Sequence, residues 1–76
     1  MTKNESRKRA DDLRSASTIT AGMLVYTSAQ RDGQFEALDW RVVESKSTVC
    51  EGVIRFGFAD GSRAYVSWNA VLNTRV

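Results

Sequence analysis

Two Asp-Gly dipeptides, Asp32-Gly33 and Asp60-Gly61, constrain this chain more than any other feature. Glycine enters positive φ without the clash that a Cβ brings, and aspartate tolerates it, so each pair marks a tight reversal between two strands. Around these turns the residues from Thr18 onward are largely β-branched or aromatic, and the chain has no proline to interrupt them. The pattern predicts strands near 18–28, 35–45, 50–59 and 62–68, with a short last strand at "TRV" after a turn at "WNAV". The polar stretch "ESKSTV", Glu44 to Val49, is predicted to be a mobile loop.

The register of the second hairpin follows from its loop. A two-residue loop pairs Ala59 with Ser62 and sets Phe58 against Arg63 and Arg55 against Val66, which mixes both faces. A three-residue loop, with Gly61 in a left-handed bulge, pairs Phe58 with Ser62, Phe56 with Ala64 and Ile54 with Val66. One face then holds Ile54, Phe56, Phe58, Ala64, Val66 and Trp68, and the other holds Val53, Arg55, Gly57, Arg63, Tyr65 and Ser67. The second register is preferred, because burial of apolar surface is worth roughly 25 cal/mol per Å².

For the first hairpin, a two-residue Asp32-Gly33 turn sets Val25 against Trp40 and Met23 against Val42, with Leu38 on the same apolar face. Leu24, Val43 and Val53 then lie off the core side. Trp40 and Trp68 read as core anchors. The expected fold is mainly β: a small antiparallel sheet or half-open barrel of four to five strands. An open sheet with an N-terminal helix laid over it is the competing arrangement.

The N-terminus differs in character. Residues 1–17 form a basic helix or flexible arm, and residues 18–76 form the β domain. Thr2 and Glu5 have the spacing of a helix capping box, while Ala10, Leu13 and Ala16 give only a thin apolar stripe. Residues 1–14 carry five cations, Lys3, Arg7, Lys8, Arg9 and Arg14, against three carboxylates. The whole chain's net charge of +2 therefore sits there. The arm is either a solvated surface element or a phosphate-binding one.

With 76 residues the chain hides roughly 60% of the surface its unfolded form exposes, so its stability is marginal. Cys50 is the only cysteine and there is no histidine, which rules out an internal disulfide and the usual zinc sets. No metal or cofactor is expected. Support from a partner is, and a homo-oligomer, with a dimer favoured, is the expected form. The lone thiol and the absence of an apolar N-terminal stretch suit a cytoplasmic protein, and no apolar run is long enough to span a membrane.

The segment "VIRFGFADGSRAYVSWNAV", residues 53–71, resembles the end of SH3-like and Tudor-type barrels, in which a strand, a D-G-S turn, a strand and one helical turn follow in order. "RAYVSWNAVLNTRV" is more distantly similar to the second motif of Sm-like proteins, with Ala70 and Val71 in the helical-turn place. The resemblance implies a small barrel that binds peptides, modified side chains or nucleic acid.

No catalytic residue is expected, since the chain offers no histidine to activate a nucleophile and its carboxylates Glu36, Asp39, Glu44 and Glu51 are scattered. Cys50 reads as a buried or half-buried strand residue. A non-catalytic regulatory or binding function is expected instead. In the preferred register Arg55 lies across from Tyr65 with Arg63 beside them, a set that either forms a cross-strand cation–π pair or stacks bases and holds phosphates. The expected ligand is nucleic acid, RNA or DNA, held by Arg55, Arg63 and Tyr65 together with Lys3, Arg7, Lys8, Arg9 and Arg14. The alternative is a protein partner, with aromatic residues of the sheet as anchors.

Overall fold

The computed structural model describes residues 12–75. They form strands β1 (Asp12–Ser15), β2 (Leu24–Arg31), β3 (Gln34–Cys50), β4 (Val53–Phe58), β5 (Arg63–Ser67) and β6 (Val71–Arg75), with a single 3-10 turn at Ala16–Thr18. All pair antiparallel in one six-stranded sheet of order β1-β6-β2-β3-β4-β5. Gln30 of β2 also pairs with Arg63 of β5, which curls the sheet back on itself. The chain is mainly β, as expected, with six strands rather than four or five.

β3 makes the curl possible. Ala37 and Leu38 together oppose Ser28, and extra residues at Glu44 and Val49 shift its register against β4. Each such bulge bends and twists a strand, so three of them allow one long strand to serve two hairpins in turn. The expected loop at Glu44–Val49 is thus strand: Ser45 to Thr48 pair with Gly57 to Ile54. Polarity there reflects exposure, and the backbone is claimed by the open edge of β4.

The second hairpin has the register of the three-residue loop. Ile54 pairs with Val66, Arg55 with Tyr65 and Phe56 with Ala64, while Gly61 sits at φ 93° and donates its N–H to Phe58 O. Ile54, Phe56, Phe58 and Ala64 are buried on the inner face, and the rings of Phe56 and Phe58 are 6.3 Å apart. Full burial of one such side chain contributes roughly 1.5–3 kcal/mol.

The first hairpin turns at Asp32-Gly33 as expected, both residues at positive φ, and pairs Arg31 with Gln34. The bulge at Ser28 then moves the rest by one residue. Leu24 faces Val42, Val25 faces Arg41 and Tyr26 faces Trp40. This overturns the expected apolar face. Val43 is buried rather than off the core, Arg41 points inward, and Leu38, Trp40 and Val42 belong to the outer surface.

The remaining core comes from the chain before β2. Ala16 and Ile19 are fully buried and close one end of the barrel, where Ala16 N–H donates to Ala70 O and Ser17 N–H to Trp68 O. Trp68 contributes its backbone to this closure and is itself 54% exposed, so it is no core anchor. Asp12–Ser15 is a strand on β6 and not part of a helix, since β6 offers four paired positions; Leu13, the one large residue of the expected helical stripe, is 69% exposed. The expected capping box, Thr2 and Glu5, lies outside the described residues. Cys50 ends β3 and is exposed rather than buried.

Candidate ligand-binding face

Strand alternation builds the first candidate site. Since Phe56, Ile54 and Ala64 point inward, Arg55, Arg63 and Tyr65 must point outward, and the pairing aligns them in two rows. Ser47, Arg55 and Tyr65 form one row across β3, β4 and β5; Ser45, Gly57 and Arg63 form the next, which Gln30 of β2 extends. All three predicted residues are therefore brought together and exposed. Beside them lies an open recess of about 320 Å³ lined by Gln30, Asp32, Gly33, Arg63 and Tyr65.

Pairing separates the arginines. Arg31 Nε lies 2.8 Å from Glu36 Oε2, and Arg41 Nη1 lies 3.0 Å from Glu36 Oε1 and 3.2 Å from Asp60 Oδ2. Arg41 also donates from Nε to Thr27 O and from Nη2 to Ala37 O, so all three nitrogens of its inward-facing guanidinium have acceptors. Glu36 is held below the usual carboxylate range, chiefly by the hydrogen bond from Arg31. Asp60 is lowered as well, first by the Ser62 hydroxyl 2.5 Å away and then by the Ser62 N–H. By contrast, no side-chain hydrogen bond or ion pair joins Arg55 or Arg63 to another residue among those described. Two unneutralised guanidiniums flanking an exposed phenol can hold an anion and stack a planar group.

The other predicted cations do not join this set. Arg14 stands in β1, separated from β5 in the sheet by β6 and β2, with Nη2 3.7 Å from Asp12 Oδ2. Lys3, Arg7, Lys8 and Arg9 lie outside the described residues.

A second exposed group was hidden in the sequence by the bulge at Ser28. Tyr26 and Trp40 stand side by side on the outer face, ring centroids 5.3 Å apart, and the Arg75 guanidinium carbon lies 4.1 Å from the Trp40 ring centroid. The alternation Leu38-Trp40-Val42 signals a single-sided apolar strand, yet gives no indication of which side faces out.

Among the described residues no cluster of His, Cys, Asp and Glu could hold a metal ion, and no helix is long and apolar enough to cross a membrane. Comparison with known protein families, curated proteins and solved structures found no match.

Proposed function

We propose that this chain is a non-catalytic, SH3-like small barrel that binds single-stranded nucleic acid across Arg55, Tyr65 and Arg63. The observation that carries the reading is the division among the arginines: Arg31 and Arg41 are neutralised by Glu36 and Asp60, whereas Arg55 and Arg63 have no such partner among the described residues. Tyr65 between them supplies a stacking surface, and the serines of β3 add hydroxyl donors along the same rows. The strand order β6-β2-β3-β4-β5, with a tight turn at residues 68–70 before the last strand, supports the SH3-like reading. The basic residues Lys3, Arg7, Lys8 and Arg9 extend the phosphate contacts in this proposal, and an exposed single thiol at Cys50 suits a reducing, cytoplasmic setting.

A protein partner is the second reading, favoured by the exposed ring of Trp68 and by Asp32 beside Arg63 in the recess. Salt separates the two. Anisotropy of a labelled single-stranded oligonucleotide, titrated with the full chain between about 50 and 200 mM salt, is expected to show a steep loss of affinity. Arg55→Ala and Arg63→Ala should each lower the salt slope by about one. Absence of binding at the lowest salt, or a slope unchanged in both variants, overturns the nucleic-acid reading.

A further inference from the structure

We infer that the recess where β2 meets β5 receives one guanine base of the bound strand, with the Asp32 carboxylate as the acceptor that selects it, an assignment that rests on the nucleic-acid reading of this face. The recess is built at the seam that curls the sheet. Gln30 pairs with Phe35 of β3 on one side and with Arg63 of β5 on the other, and directly opposed residues share a face of a sheet, so the three side chains stand in one outward row. Tyr65 follows two residues after Arg63 on the same side of β5, and Asp32 and Gly33 of the first turn complete the lining of a space of about 320 Å³. That is at the small end for ligand pockets, roughly 300–1,000 Å³, and suits a single flat heterocycle. Phe35 shows where the strand continues. It is 84% exposed, the most exposed large apolar side chain among the described residues, and stands beside Gln30 as a second stacking surface. A strand running from the row of Arg55 and Tyr65 to Phe35 follows Arg63 and Gln30, and so passes the recess.

The lining selects the occupant. Asp32 repels a phosphate or carboxylate from the recess and Arg63 repels an ammonium group, so what enters is neutral and offers both donors and acceptors. Neither charge is used up within the protein: no side-chain hydrogen bond or ion pair joins Asp32, Gln30 or Arg63 to another residue among those described. Guanine alone among the bases places two N–H donors, on N1 and N2, side by side where the two oxygens of one carboxylate accept both, and its O6 and N7 remain for a guanidinium. Uracil and thymine set one N–H between two carbonyls, which a carboxylate repels. Adenine and cytosine set one amino group beside an unprotonated ring nitrogen. The turn does not account for the acid, because asparagine tolerates the positive φ of Asp32 equally well.

Anisotropy of labelled nine-nucleotide DNA strands, titrated with the full chain at about 50 mM salt, tests the assignment with one all-thymidine strand and three others carrying a central guanosine, adenosine or cytidine. The guanosine strand is expected to bind about tenfold tighter than the other three, as one well-matched bidentate contact would give. Inosine at the same place, which lacks the N2 amino group, should weaken that binding about threefold or more. Asp32→Asn keeps the turn and should bring the ratio of guanosine to thymidine affinity close to one. Loss of a negative charge beside Arg63 should meanwhile tighten the all-thymidine strand by up to about threefold. A merely electrostatic or structural role for Asp32 would move all four strands alike and leave the ratio intact. Equal affinity of the wild type for the four strands, preference for another base, inosine equal to guanosine, or a guanosine preference that survives in folded Asp32→Asn overturns the inference while the nucleic-acid reading stands. Binding of no strand overturns both. If Asp32→Asn lacks native far-UV circular dichroism, the guanosine and inosine strands still decide on the unaltered chain.

Discussion

Arg41 Nη1 lies 3.2 Å from Asp60 Oδ2, tying the middle of β3 to the turn between β4 and β5. Arg31 reaches the same turn, donating to Asp60 O and to Glu36, so two arginines and two carboxylates close one end of the barrel. Planar, forked guanidiniums suit this work because each bridges several acceptors at once.

Replacing Arg41 with alanine leaves Glu36 and Asp60 to Arg31 alone and takes from Thr27 O and Ala37 O the donor they share. A buried acceptor left without its partner costs about 1–3 kcal/mol, and the expected destabilisation is of that order. Urea denaturation of Arg41→Ala and Arg41→Lys checks this, with lysine recovering only part of the stability.

Acid should weaken the same cluster. Glu36 and Asp60 have folded pKa values below their unfolded ones, so their contribution is fully present above the unfolded values and disappears as pH falls toward the folded ones. The melting temperature is expected to hold between about pH 7 and 5 and to decline below about pH 4. A doubly substituted Glu36→Gln, Asp60→Asn chain should show a shallower decline in the same scan, from a lower starting temperature.

Phe56 is fully buried against Phe58, and truncation to alanine leaves a cavity that few neighbours can fill. The expected destabilisation is about 3–5 kcal/mol, comparable to the whole stability of a domain this small. Phe56→Ala should therefore lack a cooperative thermal transition at 25 °C or above, while Phe56→Leu keeps one.

At Gly61, φ 93°, an added Cβ would meet Arg31 Nη1 at 3.6 Å, an ordinary van der Waals contact without a clash. Gly61→Ala thus tests backbone conformation nearly alone, with an expected cost of about 1–3 kcal/mol in chemical denaturation. A neutral result would mean that the turn relaxes to another type.

Legibility in the sequence followed the range of the interaction. The second hairpin could be read because a three-residue loop alone sorts Ile54, Phe56 and Phe58 from Arg55, Arg63 and Tyr65, and that sorting is local. The first hairpin misled beyond Ala29, since nothing in "TSA" or "EALD" marks the extra residue that turns Trp40 outward and Arg41 inward. β1 was obscured for a different reason: spacings such as Arg7 to Asp11 and Lys8 to Asp12 favour a helix locally, whereas the pairing of Leu13 with Asn73 is set by a strand at the far end of the chain. An arginine is seldom buried without partners, and only the meeting of Glu36, Asp60 and Ser62 makes the inward guanidinium of Arg41 tolerable.

The extra residue at Glu44 has a consequence for how this chain can change length. Before it, β3 directs Trp40 and Val42 outward; after it, Ser45 and Ser47 face out and Lys46 lies opposite buried Phe56. Deleting Glu44 would remove the bulge and its bend while leaving Ser45 and Ser47 outward, whereas one further residue inserted between Val43 and Ser47 would aim these serines at the phenylalanines. The tip at Glu51-Gly52 carries no such parity. Natural variants should accordingly lengthen or shorten the sequence at that tip, while the spacing from Trp40 to Ser47 stays fixed.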